Sequence, residues 1–120
     1  MDSEQAAVEQ DFLASWESIE HFYIGNFFWG TPEWYELTQI SQSDFQKMGY
    51  SEGTNGYEWV KPIKTLIDEL RARGYDRKLR AGQSLYNFVL SRSRVHGLRP
   101  DQTRITIMPL EEGGMRAVLV

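Results

Sequence analysis

Cysteine is absent from this 120-residue chain, and histidine occurs only at His21 and His96. The first absence excludes disulfides, thiolate zinc sites and a cysteine nucleophile, and it fits a reducing compartment, so a cytoplasmic protein is expected. The second leaves two isolated imidazoles with no carboxylate at a His-Glu-x-x-His or related spacing, so no metal is expected. Long apolar runs are missing too. The longest candidate is broken by Gly25, Asn26 and Gly30, short of the roughly 20 residues that span a bilayer, so no membrane partner is expected. The start, Met1-Asp2-Ser3-Glu4-Gln5, is acidic and lacks the basic and apolar regions of a secretory signal.

Basic residues are scarcest where acids are densest. Residues 1–59 carry eleven acids against Lys47 alone, a balance of −10, whereas residues 71–104 hold nine basic residues against Asp76 and Asp101, a balance of +7. The net charge of −4 opposes indiscriminate binding to nucleic acid, but its segregation points to one anion-facing segment. Hydrophobic and charged fractions of 41% and 25% are those of ordinary globular proteins, so neither disorder nor a fibrous repeat is indicated. A chain of this length suits a single domain over residues 1–120.

Along the chain, Ser3 caps a first helix over 4–22, whose apolar positions Val8, Phe12, Leu13, Trp16, Ile19 and Tyr23 recur at three- and four-residue steps. Seven of the fourteen residues from Phe22 to Tyr35 are aromatic. Without interleaved cations they are expected to pack in a core, or to form a patch meeting another subunit, rather than to stack bases. Residues 33–40 read as a strand from the β-prone Trp34, Tyr35, Thr38 and Ile40. A short helical turn capped by Ser41 or Ser43, a loop over 51–56 and a short strand at 57–60 follow. Pro62 opens a helix over 62–73 with Ile63, Leu66, Ile67 and Leu70 on its apolar face.

Residues 77–82 read as a strand. For 84–96 helix and strand compete, and the punctuation favours helix: Ser84 at the start, Arg92, Arg94 and His96 near the end, Gly97 and Pro100 beyond it. Two strands, 103–110 and 115–120, joined at Glu111-Glu112-Gly113-Gly114, form a C-terminal hairpin. The expected fold is α+β, three helices packed on a mostly antiparallel sheet.

Two clusters carry candidate chemistry. Arg77, Lys78, Arg80, Gly82, Gln83 and Ser84 run from a basic strand into a helix start, where free N–H groups and guanidiniums would hold a phosphate or carboxylate. The competing reading is ordinary capping with solvated charges, and neither nucleotide fingerprint is present, so no cofactor is expected. Arg92, Arg94, His96 and Arg99, interleaved with serines, would line phosphates or an acidic protein surface. Against that, Arg92, Arg94 and His96 complement a helix C-terminus, and Arg99 pairs with Asp101 or with acids of the N-terminal half. No catalytic residues stand out: no serine lies in a Gly-x-Ser-x-Gly elbow, and the pairs Asp68-Glu69 and Glu111-Glu112 point different ways.

The block Leu79-Arg80-Ala81-Gly82-Gln83-Ser84, continuing through Leu90-Ser91-Arg92-Ser93-Arg94 to His96-Gly97-Leu98-Arg99, resembles a segment of short cyanobacterial proteins of unassigned function. The resemblance implies no activity, cofactor or partner. The expected function is a non-catalytic regulatory or adaptor domain that engages an anionic partner, protein or nucleic acid, through the basic segment. The acidic and basic halves would also satisfy one another across a homodimer. The alternative is an enzyme or small-molecule binder holding a phosphorylated or carboxylated ligand at Gly82, Gln83 and Ser84, with Arg80 as clamp.

Overall fold

A computed structural model describes residues 3–92, 103–110 and 113–119. Four α-helices pack against a four-stranded antiparallel sheet, an α+β fold as the pattern of elements predicts. The helices are α1 (Ser3–Phe27), α2 (Pro32–Thr38), α3 (Gln42–Lys47) and α4 (Tyr57–Ala72); a 3-10 turn, Tyr75–Arg77, leads into the sheet. Its strands β1 (Arg80–Ser84), β2 (Asn87–Ser91), β3 (Arg104–Pro109) and β4 (Met115–Leu119) lie in chain order, each antiparallel to the next.

The core forms between the apolar stripe of α1 and one face of the sheet. Trp16, Ile19 and Tyr23 of α1 and Val60, Ile63 and Ile67 of α4 meet Ala81, Phe88, Leu90 and Ile107. Trp16 sets its ring edge-on to Phe88, with centroids 5.5 Å apart, and donates its indole N–H to the Leu79 carbonyl at 2.8 Å. That bond satisfies the polar end of a fully buried indole. The aromatic run from Phe22 onward packs inward, as expected: Tyr23, Phe27, Phe28 and Trp34 are all buried.

Three expected elements are corrected. Residues 33–40, read as a strand, form α2, because Thr31 caps it by accepting the Trp34 N–H at 3.2 Å and Pro32 occupies the first helical turn. Those local bonds and the burial of Trp34 against Phe45 outweigh the β-propensity of aromatic residues. Residues 57–60, read as a short strand, are the first turn of α4, so Pro62 lies inside that helix rather than at its start.

The third correction changes the site. Residues 84–91, read as the start of a helix, form the β1–β2 turn and β2. The apolar run Phe88-Val89-Leu90 is buried on both sides of a central strand, and such a strand shows no alternation to distinguish it from a buried helix. The expected helix stop, residues 93–100, lies outside the described residues. The C-terminal hairpin is present as expected, closed by Leu110 and Gly114, with Gly113 at φ +99°.

Candidate functional site

The predicted helix N-terminus at Ser84 does not exist, so the anion cradle expected at Gly82, Gln83 and Ser84 loses its backbone donors. Those residues belong to an edge strand. Ser84 pairs with Asn87 across a two-residue turn in which Leu85 has φ +58°. Gly82 and Gln83 border a groove of about 500 Å³ between β1 and α1, shared with Asp11, Ser15, Ser18 and Phe22.

Arg80, expected as the clamp of that cradle, is committed within the chain. Its guanidinium donates to the Asp11 carboxylate of α1 and lies 5.5 Å from the centre of the Phe12 ring. The guanidinium side chain is 5% exposed, so an external anion would have to compete with Asp11 for a buried cation. Arg71 behaves alike, pairing with Glu20 of α1 and lying 3.8 Å from Asp76. Arg73 bonds Glu69 one helical turn earlier at 2.8 Å. Part of the charge segregation is therefore consumed inside the molecule, Glu20 and Asp11 of α1 against Arg71 in the last turn of α4 and Arg80 of β1.

Arg77, Lys78 and Arg92 have a different environment. All three are exposed and border one cleft of about 520 Å³. Facing them from α1 are Glu4, Gln5, Val8, Glu9 and Phe12. Lys78 sits 5.8 Å from the centre of the Tyr75 ring, and none of the three cations is ion-paired among the described residues. The cleft is thus mixed in charge, with three cations on the sheet side and two carboxylates, together with the apolar Val8 and Phe12, on the helix side. Arg94, His96 and Arg99 lie outside the described residues.

The α1 side of both spaces escaped sequence reasoning. Asp11 is 69 residues from Arg80, and Ser15, whose hydroxyl accepts the Ala81 N–H at 3.0 Å, is 66 residues from it. An acidic helix face gives no local sign of which carboxylate will meet a guanidinium and which will meet water. His21 is exposed, 4.0 Å from Glu17 on its own helix. Among the described residues no three His, Asp or Glu side chains are grouped to hold a metal ion, and no helix is long and apolar enough to cross a membrane. Comparison of the chain with protein-family models, with curated proteins and with solved structures finds no match in any of the three.

Proposed function

We propose that the protein is a non-catalytic regulatory or adaptor protein of the cytoplasm that engages an acidic protein segment through Arg77, Lys78 and Arg92. The observation that supports this reading is the shared cleft in which these three exposed cations flank the apolar Val8 and Phe12. A peptide carboxylate would find guanidinium and ammonium donors on the sheet side, and an adjacent apolar side chain would find Val8 and Phe12. Each exposed charge pair contributes only about 0.2–1 kcal/mol, so recognition requires the three cations to act together.

Glu4 and Glu9 argue for protein over nucleic acid as the partner. A polyphosphate carries one negative charge at every step and would be repelled by the helix wall, whereas a protein segment can present both signs. The test is a titration of two fluorescent probes, a peptide with acidic and basic blocks and a single-stranded oligonucleotide, at low and physiological salt. The peptide is expected to bind at low salt, to weaken as salt screens the cations, and to lose binding to the triple variant Arg77→Glu, Lys78→Glu, Arg92→Glu. Peptide binding that survives all three reversals overturns the reading. Preferential binding of the oligonucleotide returns nucleic acid as the partner.

A small-molecule reading keeps one observation, the groove beside Gly82 and Gln83 with the polar groups of Ser15 and Ser18. With Arg80 held by Asp11, that groove suits a neutral polar ligand better than a phosphate. A thermal-shift screen of phosphates, carboxylates and neutral polyols separates the two, since saturation at a hundred times Kd stabilises by about 2.7 kcal/mol.

A further inference from the structure

The two edges of the sheet are finished differently. At the β1 edge, Ser15 accepts the outward Ala81 N–H at 3.0 Å, and the Trp16 indole donates to the Leu79 carbonyl just before the strand at 2.8 Å. Helix α1 therefore covers the start of that edge. Nothing comparable covers β4 among the described residues. The Leu110 N–H donates to the Gly114 carbonyl at 3.1 Å, which makes that pair the bonded one closing the hairpin. Bonded pairs then alternate, Met108 with Arg116 and Thr106 with Val118. Met115, Ala117 and Leu119 consequently turn their N–H and C=O groups away from β3, towards the open edge.

The side chains of the same three residues continue the apolar face that the helices cover elsewhere. Along the row Ala81, Leu90, Ile105 and Leu119, exposure rises from 6% and 7% to 37% and 71%. The helices stop short of β4 and leave Met115 and Leu119 in solvent. Natural edges are usually blunted by lysine, proline, a bulge or a covering element. β4 carries one charge, Arg116, which points to the opposite face.

We propose that β4 is the interface of a homodimer, pairing antiparallel with β4 of a second copy about a two-fold axis through Ala117. In this register Ala117 meets the partner's Ala117 and Met115 meets the partner's Leu119, so every outward N–H and C=O faces a complementary group. The exposed Met115 and Leu119 side chains bury one another on the helix side of the seam. Arg116 faces the partner's Val118. An axis moved by one residue to Arg116 keeps the bonding parity but sets two arginines directly opposite and shortens the overlap, so charge and overlap favour the axis at Ala117. A second copy is favoured over a foreign strand because this edge is complementary to itself in backbone parity, apolar pattern and charge placement.

The proposal does not depend on the cleft at Arg77, Lys78 and Arg92. Light scattering on the full chain is expected to give twice the chain mass, unchanged by added salt. Ala117→Pro removes an N–H that bonds nothing within its own sheet and blocks the edge, so it is expected to give a monomer with unchanged far-ultraviolet circular dichroism. Leu119→Lys places a charge on an exposed position and is expected to give the same monomer even where the proline variant folds poorly. A wild-type monomer over the accessible concentration range overturns the proposal. So does a dimer that survives Leu119→Lys, or one that dissociates in salt and so rests on the acidic and basic halves.

Discussion

Arg80, at the first position of β1, is ion-paired with Asp11 of α1 while its guanidinium carbon lies 5.5 Å from the centre of the neighbouring Phe12 ring. The pair ties the first third of the chain to the start of the sheet. Its two members are unequally placed, the arginine side chain 5% exposed and the aspartate 46%. Removing the carboxylate takes an ion-pair partner from a buried cation, while removing the cation leaves a carboxylate that water reaches. Asp11→Ala is therefore expected to cost about 2 kcal/mol, below the 3–5 kcal/mol of a fully buried broken pair, and Arg80→Met less. Urea midpoints of the two variants check the order.

Tyr23 supplies a prediction in pH. Its ring is fully buried, its hydroxyl donates to the Tyr86 carbonyl at 2.7 Å, and burial pushes its pKa well above the ordinary tyrosine value. A group whose folded pKa is raised contributes stability that is complete below its unfolded pKa, about 10, and is lost as pH climbs past that value. Below pH 10, Tyr23→Phe is expected to cost about 1 kcal/mol for the lost hydrogen bond. Above it the gap to wild type is expected to narrow, because phenylalanine has no proton to lose. Urea unfolding from neutral to strongly alkaline pH reads both limbs.

Leu85 at the β1–β2 turn has φ +58° and a side chain that is 75% exposed. A leucine in the left-handed region costs about 1–2 kcal/mol, and here no packing offsets it. Leu85→Asn, which tolerates that region, is expected to raise stability by about 0.5–1 kcal/mol. A lower melting temperature would mean that the leucine makes a contact worth more than its strain.

Gly30 and Gly74 share φ +83° and differ in surroundings. A Cβ at Gly30 would meet the Glu52 Cα and the Phe45 ring at 2.9 Å, whereas one at Gly74 would meet nothing within 4 Å. Gly74→Ala is expected to cost about 1 kcal/mol from the backbone alone, and Gly30→Ala about 2–4 kcal/mol once the clash is added. Equal losses in thermal unfolding would show that the α1–α2 turn gives way easily.

Much of the architecture was legible locally. The apolar spacing of α1, the Ser41 cap of α3, the apolar stripe of α4 and the Gly113-Gly114 hairpin each bind residues only a few positions apart. Helix α2 carries its own start signals in Thr31 and Pro32, while the β-prone Trp34 and Tyr35 that follow give the stretch the look of a strand. Strand β2 is buried on both faces, so Phe88-Val89-Leu90 offered no period to read, and Ser84 looked like a cap because serine suits a turn equally well.

The candidate site was legible only in composition. An excess of base after residue 70 and of acid before residue 60 is plain in the chain, and so is the absence of cysteine chemistry. Which cations remain available to a partner is a long-range matter: Asp11 takes Arg80 and Glu20 takes Arg71 across 69 and 51 residues, while Arg77, Lys78 and Arg92 stay exposed. Local bonds, caps and turns determine where helices and hairpins form, so the sequence by itself determined those elements. Pairing between charges, and how far each sheet edge is covered among the described residues, depend on which distant side chain arrives beside them, and only the tertiary structure decided that.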